Sequence, residues 1–313
     1  MSTLKDSPGL KNTPAKIAVI GGTHGNELTG VYLVNHWKKQ SLAKKYSELS
    51  IKFLLANPDA IEQQKRYIDQ DLNRSFKLQD LSDQTKQNRE QKLAREINQT
   101  LGPKGAARTD FIIDLHTSTA NMRTNIVLIK MDAFHLGLAA FLKQNIADVV
   151  ITSESQLMAD HHFLCSIADK GVVVEVGPIP QGALDANCFE KTRTALDACL
   201  EYMQLYHQQK LPDLQPELQV MSYFSRLYFP TDADGEINAM VHPGLIGMDY
   251  SKIIDGTPVF RSFSGEDIFY RGKDAHVAFV NEAAYYDQKI AMCLCNPVTY
   301  SLATLQPIDL QVG

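Results

Sequence analysis

The chain has 313 residues, with 31 Lys and Arg against 36 Asp and Glu and a formal charge of −5. Basic residues are interspersed with acidic ones, which excludes the continuous basic stripe of a nucleic-acid-binding protein, and no apolar run reaches the roughly 20 residues that span a bilayer. Five cysteines, Cys165, Cys188, Cys199, Cys293 and Cys295, form no CxxC pair; this odd set fits free thiols in a reducing cytoplasm better than a disulfide framework.

Residues 1–15 are polar, with no apolar leader, and are expected to be a frayed tail. Residues 16–22, KIAVIGG, read as a buried strand. Leu28, Val31, Tyr32, Val34 and Trp37 then recur at helical spacing, so residues 21–26 form a strand-to-helix turn. A second strand is expected at 51–56, ended by Asn57-Pro58, with residues 62–77 as a loop carrying RYIDQDLNR. Over 84–101 a helix sets Leu93, Ile97 and Leu101 on one face and stops at Gly102-Pro103. Residues 111–115, 149–153 and 171–176 read as apolar strands, and a long amphipathic helix follows over 184–207. Strands alternating with helices predict an α/β domain over 16–210, its mainly parallel sheet covered on both faces. Beyond the Gln- and Pro-rich stretch 208–217 the texture changes. Short β-like runs at 218–229, 236–241, 258–263 and 276–280, separated by DADG and SGED turns, predict a smaller β-rich domain over 211–313.

His24 follows the first strand, His116 follows FIIDL, and Glu175 ends GVVVE. In an open α/β sheet the ligand crevice lies at that strand edge, so residues distant in sequence converge there. Imidazole and carboxylate are both zinc ligands, and a catalytic zinc takes three protein ligands with one position open. His24, Glu27 and His116 are the candidate ligands. Glu175, a carboxylate in an apolar run, needs a partner or a purpose, and would serve as the general base. The competing readings are a turn histidine with a helix-opening carboxylate at His24 and Glu27, and a satisfied core histidine at His116. Asp114, on the same strand face as His116, would orient its ring. In the loop, a guanidinium beside the Asn73 amide suits a carboxylate, and a second arginine among Arg66 and Arg74 would polarise a carbonyl. Asp69 and Asp71 offer the alternative of a structural ion-pair network. GGTHGN lacks the GxGxxG spacing of a dinucleotide site. Residues 232–236 read as a hairpin turn rather than a calcium loop, and Cys293-Leu294-Cys295 as a buried strand pair.

Taken together, GGTHGNELTG, ANP, RYIDQDLNR, the DLHT segment with its S-T-NM continuation, VEVGP-PQG and FVNEAAYY resemble the aspartoacylase and aminoacylase-3 family over nearly the whole chain. The resemblance implies a carboxypeptidase-like three-layer αβα domain and a smaller β-rich C-terminal domain that caps the active-site channel. It also implies one Zn²⁺ per chain, a homodimer, and hydrolysis of the amide bond of small N-acyl-L-amino acids. N-acetyl-L-aspartate is the first expected substrate; apolar or aromatic N-acyl amino acids, as for aminoacylase-3, are the second. By the same matching His24, Glu27 and His116 would hold the zinc, Glu175 would be the general base and Arg66 would polarise the amide carbonyl. Asn73 and Arg74 would bind the amino-acid carboxylate, and Tyr285 would reach in from the C-terminal domain. A carboxypeptidase-type zinc peptidase and a small-carboxylate binding protein are the other readings.

One position departs from the pattern. Mammalian aspartoacylases carry an arginine just before Ser-Ile-Ala that clamps the substrate's side-chain carboxylate, whereas Cys165 precedes Ser166-Ile167-Ala168 here. A thiol does not replace a bidentate guanidinium. Arg123 and His161 are the candidates for the missing positive charge.

Overall fold

Along the strand Lys170–Gly177, Val172, Val174 and Val176 pack on one side of the sheet and Val173 on the other. Both faces are therefore covered, and Glu175 falls on the Val173 side, because side chains alternate along a strand. The computed structural model describes residues 13–40, 45–154 and 160–308. The expected tail lies outside the described residues as far as residue 12, and the first strand already opens at Ala15.

Strands β1 (Ala15–Gly21), β2 (Leu49–Leu55), β3 (Phe111–Thr117), β4 (Arg123–Leu128), β5 (Val149–Ser153) and β6 (Lys170–Gly177) alternate with helices. These are α1 (Leu28–Lys38), α2 (Pro58–Glu62), α3 (Leu78–Ser82), α4 (Arg89–Leu101), α5 (Ala133–Asn145) and α6 (Ala186–His207). The C-terminal part contributes β7 (Glu217–Tyr228), β8 (Ala239–Val241), β9 (Lys252–Ile253), β10 (Pro258–Ser262), β11 (Asp267–Phe269), β12 (Ala275–Ala278) and β13 (Ile290–Ser301). One sheet runs in the order β2-β1-β3-β6-β4-β5-β7-β13-β12-β9, and β11-β10-β8 form a second. Pairing is parallel from β2 through β6 and again along β4-β5-β7, while β4 lies antiparallel to β6.

The first layer packs Leu33 and Val34 of α1, Leu138 and Leu142 of α5, and Leu196 and Leu200 of α6 against Val172 and Val174. The second sets Ala94, Ile97 and Leu101 of α4 against Ile20, Ile112 and Val173. Helix α4 is shorter than its periodicity suggests, because a capping box between Asn88 and Gln91 starts it at Arg89. Strand β4 and helix α5 escaped the sequence reading. Nine consecutive positions of α5, Phe134 to Leu142, are buried, so the helix has no polar face to set a 3.6-residue rhythm. Among the described residues no helix is long and apolar enough to cross a membrane.

The main sheet does not stop at the expected boundary near residue 210. Strand β7 joins β5 at Thr152↔Met221 and Ser153↔Ser222, then pairs antiparallel with β13. The C-terminal part keeps its own core, with Val241, Phe260, Val277 and Leu294 at the centre. A smaller cluster, Met122, Tyr223, Phe279 and Cys293, joins the two parts beside the strand ends.

Close backbone approach fixes the edge where β1 meets α1. A Cβ on Gly21 would sit 2.3 Å from the Gly30 carbonyl oxygen. Gly21→Ala is therefore expected to lose about 2–3 kcal/mol of stability through forced displacement of α1, read as a lowered midpoint in urea unfolding.

Candidate active site

The turn after β1 carries His24 and Glu27, and Glu27 stands as the N-cap of α1. Gly25 between them presses on α2, where a Cβ would lie 2.1 Å from the Ala60 carbonyl carbon, and its N–H donates to the Arg66 carbonyl at 3.2 Å. From the neighbouring strand His116 enters the same space. His24, Glu27 and His116 are buried, and their ligand atoms lie within 4.8 Å of one another.

His24 Nδ1 is 2.6 Å from Glu27 Oε1, and His116 Nδ1 is 3.0 Å from Glu27 Oε2 and 3.1 Å from His24 Nδ1. Zinc–nitrogen bonds of 2.0–2.1 Å in a tetrahedron set ligand atoms about 3.3 Å apart, so the spacing of these atoms fits a metal ion of that size. The far ring nitrogens face carboxylates: His24 Nε2 is hydrogen-bonded to Asp71 Oδ1 at 3.1 Å, and His116 Nε2 lies 2.9 Å from Asp114 Oδ2 at ion-pair distance. Carboxylates in that position orient imidazoles toward a metal. The Thr23 hydroxyl donates to the other Asp114 oxygen at 2.7 Å.

Burial alone would push the Glu27 carboxyl up, but His24 and His116 outweigh it and hold the group well below the usual carboxylate range. Glu175 behaves oppositely. It lies in register beside His116 across β3 and β6, and burial, then the Glu27 charge, push its carboxyl up to about 8 against the pull of His116. The Glu282 carboxylate adds to the rise, and Arg66 opposes it. Two neighbouring carboxyl groups with affinities driven this far apart divide into a fixed anion and a proton carrier.

Arg66 donates to Glu27 Oε1 at 3.1 Å and to Asp71 Oδ2 at 3.1 Å, so the ion-pair reading holds for this arginine at the same time as its closeness to the cluster. The Asn73 amide oxygen accepts from the Leu164 N–H at 2.7 Å, which turns its NH₂ to other uses. Arg74 lies over the Phe163 ring at 5.4 Å and, with Tyr285, lines a cavity of about 390 Å³.

Residues 14–203 match the family model of the succinylglutamate desuccinylase/aspartoacylase catalytic domain, and residues 216–297 match the AstE/AspA barrel-sandwich hybrid domain. The chain belongs to this family. A probable aspartoacylase of Trichodesmium erythraeum is 41% identical over 280 residues, 89% of this chain and 96% of that protein. An N-acyl-aromatic-L-amino acid amidohydrolase (carboxylate-forming) of Xenopus tropicalis is 38% identical over 285 residues, 88% and 91% of the two chains. The crystal structure of murine aminoacylase 3 superimposes with a TM-score of 0.84 at 33% identity, covering 93% of this chain and 98% of that one.

Cys165, at the position where mammalian aspartoacylases carry arginine, is fully buried in the layer beneath α4. Neither expected substitute lines the cavity with Arg74 and Tyr285. His161 lies tilted against the Phe163 ring, centroids 5.6 Å apart, and burial, helped by the nearby Lys104 ammonium, pushes its imidazole down to about 4, so it is neutral near pH 7. Arg123 is exposed and does not line the cavity shared by Arg74 and Tyr285.

Two carboxylates that shape the site went unread in the sequence. Glu90, in the first turn of α4, accepts from the N–H groups of Ile68, Asp69 and Gln70 and from the Asn57 amide, which folds residues 66–74 over the cluster. Glu282 accepts from Thr119 N–H at 2.8 Å, Ala120 N–H at 3.1 Å and the Ser118 hydroxyl, docking the turn with Tyr285 onto the segment after His116. A glutamate that starts an amphipathic helix or precedes an alanine pair is a weak signal for such roles, and the residues themselves carry no stronger one.

Removing the Asp114 charge is expected to leave the fold intact while loosening the His116 ring. Asp114→Asn should lower metal affinity about 10–100-fold, measured by competition with a chromophoric chelator alongside unchanged circular dichroism. His161 gives a second test. An unfolded imidazole titrates near about 6.5, above the folded value, so the unfolded chain takes the proton first. This stabilisation is complete above pH 6.5 and is lost as pH falls toward 4. His161→Leu should therefore show a shallower fall in urea-unfolding midpoint between pH 7 and pH 5 than the unaltered chain.

Proposed function

We propose that this protein is a zinc-dependent N-acyl-L-amino-acid amidohydrolase, with N-acetyl-L-aspartate as its first substrate. One observation carries the reading: a His–Glu–His cluster, a carboxyl group with a raised proton affinity and a guanidinium converge beside a cavity lined by Arg74 and Tyr285. Two imidazole nitrogens and a carboxylate are a donor set that zinc accepts, one ion per chain. Such an ion supplies Lewis-acid polarisation of the acyl carbonyl and a more acidic water.

The remaining work belongs to the side chains. Glu175 takes a proton from the attacking water and passes it to the amine nitrogen as the C–N bond breaks, which yields a carboxylate and a free amino acid. Its high proton affinity suits the second half of that task. Arg66, fixed by Glu27 and Asp71, keeps donors in reserve for the oxygen on which negative charge develops. Arg74 and the Asn73 amide hold the amino-acid carboxylate by charge-assisted hydrogen bonds, and Tyr285 lines the same cavity as Arg74. Tyr223, Tyr228 and Tyr285 among the cavity residues favour a second reading, in which the substrate side chain is aromatic.

Buried thiols at all five cysteines support a cytoplasmic setting, and a homodimer is the assembly implied by the family resemblance. The test is turnover. Metal-loaded protein should release acetate from N-acetyl-L-aspartate or N-acetyl-L-tyrosine, and Glu175→Gln should lower kcat by about 10²–10⁴-fold with metal content unchanged. Ligand binding without release of acetate from either compound would make the chain a binding protein, and cleavage of peptides instead would make it a peptidase.

A further inference from the structure

The cavity beside the metal cluster contains more charge than one α-carboxylate requires. Arg74 accounts for that carboxylate, yet Arg226 and Glu154 line the same space of about 390 Å³, together with His162. Arg226 stands on β7 opposite Cys293 of β13, and both residues border the cavity. Among the described residues Arg226 is exposed and has no carboxylate within ion-pair distance, unlike Arg66, which is held by Glu27 and Asp71. Glu154 follows β5 and lies in the fields of both Arg74 and Arg226. Its carboxyl group lets two guanidiniums share one pocket without open repulsion. His162 Nε2 is buried with no hydrogen-bond partner among the described residues, a further polar atom on the cavity wall awaiting a ligand group.

Cys165, His161 and Arg123 contribute no charge here, which leaves Arg226 as the cavity's guanidinium beyond Arg74. A side-chain carboxylate in this space would pair with the Arg226 guanidinium, whereas an aromatic side chain would offer it no charged partner.

We propose that Arg226 binds the side-chain carboxylate of the substrate and thereby selects N-acyl derivatives of dicarboxylic amino acids, a role that rests on the amidohydrolase reading above. In families of this kind selectivity can thus move from the segment before the catalytic strand to β7 while the metal cluster stays fixed.

N-acetyl-L-aspartate and N-acetyl-L-asparagine differ at the side chain by charge with nearly equal volume, so their ratio isolates the contact. The unaltered enzyme is expected to favour the aspartate compound in kcat/KM by at least about tenfold, the usual worth of a hydrogen bond to a charged group. Arg226→Gln should bring that ratio close to one through loss on the aspartate side, and Arg226→Lys should restore part of it. A ratio near one in the unaltered enzyme, preference for N-acetyl-L-tyrosine over both, or a ratio that survives Arg226→Gln would overturn the proposal. Calorimetric binding of the same two compounds to metal-loaded protein separates this outcome from failure of the reaction itself. If neither compound is hydrolysed but an Arg226-dependent difference in affinity appears, the anchor stands and the amidohydrolase reading falls; equal affinities overturn the anchor.

Discussion

Every part of the site depends on how the Glu27 carboxylate is satisfied. Its two oxygens meet His24, His116, Arg66 and the Thr117 N–H, groups from the turn after β1, the end of β3 and the loop before α3. A carboxylate buried this deeply is tolerated only when each acceptor position is filled. The three segments are therefore held to one another by the requirement that this charge stay paired. Losing any one partner leaves a buried charge partly unmatched, so the cluster assembles as a unit rather than residue by residue. His24, His116 and Glu27 would hold a cation of suitable size, which would relieve the same requirement, so the donor set for a metal is at the same time a structural knot.

The same device recurs outward from the cluster. Glu90 gathers three consecutive backbone N–H groups of the arginine loop, and Glu282 gathers the N–H groups after His116. Each carboxylate converts an otherwise irregular loop into a defined surface by supplying acceptors that no neighbouring strand provides. The catalytic loop is thus anchored from α4 and the tyrosine turn from the C-terminal part, so the walls of the cavity are set by two independent clasps. The Tyr67 hydroxyl, 3.0 Å from Asp287, links them directly.

How much of this was legible in the sequence follows from the range of each interaction. His24, Glu27, His116 and Glu175 were readable because apolar runs mark buried strands, and a polar group at the buried end of such a run is costly unless a charge or a ligand meets it. Register then brings His116 and Glu175 side by side without further assumption. Arg66, Asn73 and Arg74 were readable as a group, although whether Arg66 paired with aspartate or served the site was posed as a choice, and the structure shows it paired with Asp71 and bonded to Glu27 of the cluster. Glu90, Glu282, Glu154 and Arg226 were not readable, since their partners are backbone groups or cavity space contributed by segments tens of residues away. Helix α5 escaped for a different reason: burial on all sides erases the periodicity that identifies a helix. The continuation of the main sheet through β7 was hidden as well, because only two residue pairs join it to β5.

That narrow join separates two kinds of chemistry. The His24, Glu27 and His116 cluster and Glu175 stand on the turn between β1 and α1 and on the neighbouring parallel strands β3 and β6, where the sheet is covered on both faces. Arg226 and Cys293 stand on β7 and β13, an antiparallel ribbon whose cavity-facing residues are not wedged between two helix layers. Substitution at the first set disturbs a buried charge network whose members are mutually dependent. Substitution at the second changes what the cavity wall offers while leaving that network untouched. Relatives bearing the names probable aspartoacylase and N-acyl-aromatic-L-amino acid amidohydrolase, at 41% and 38% identity to this chain, are what such a division would allow. On the proposals made above, the reaction would be constrained by burial of charge, and the choice of side chain would be left to the β7-β13 ribbon.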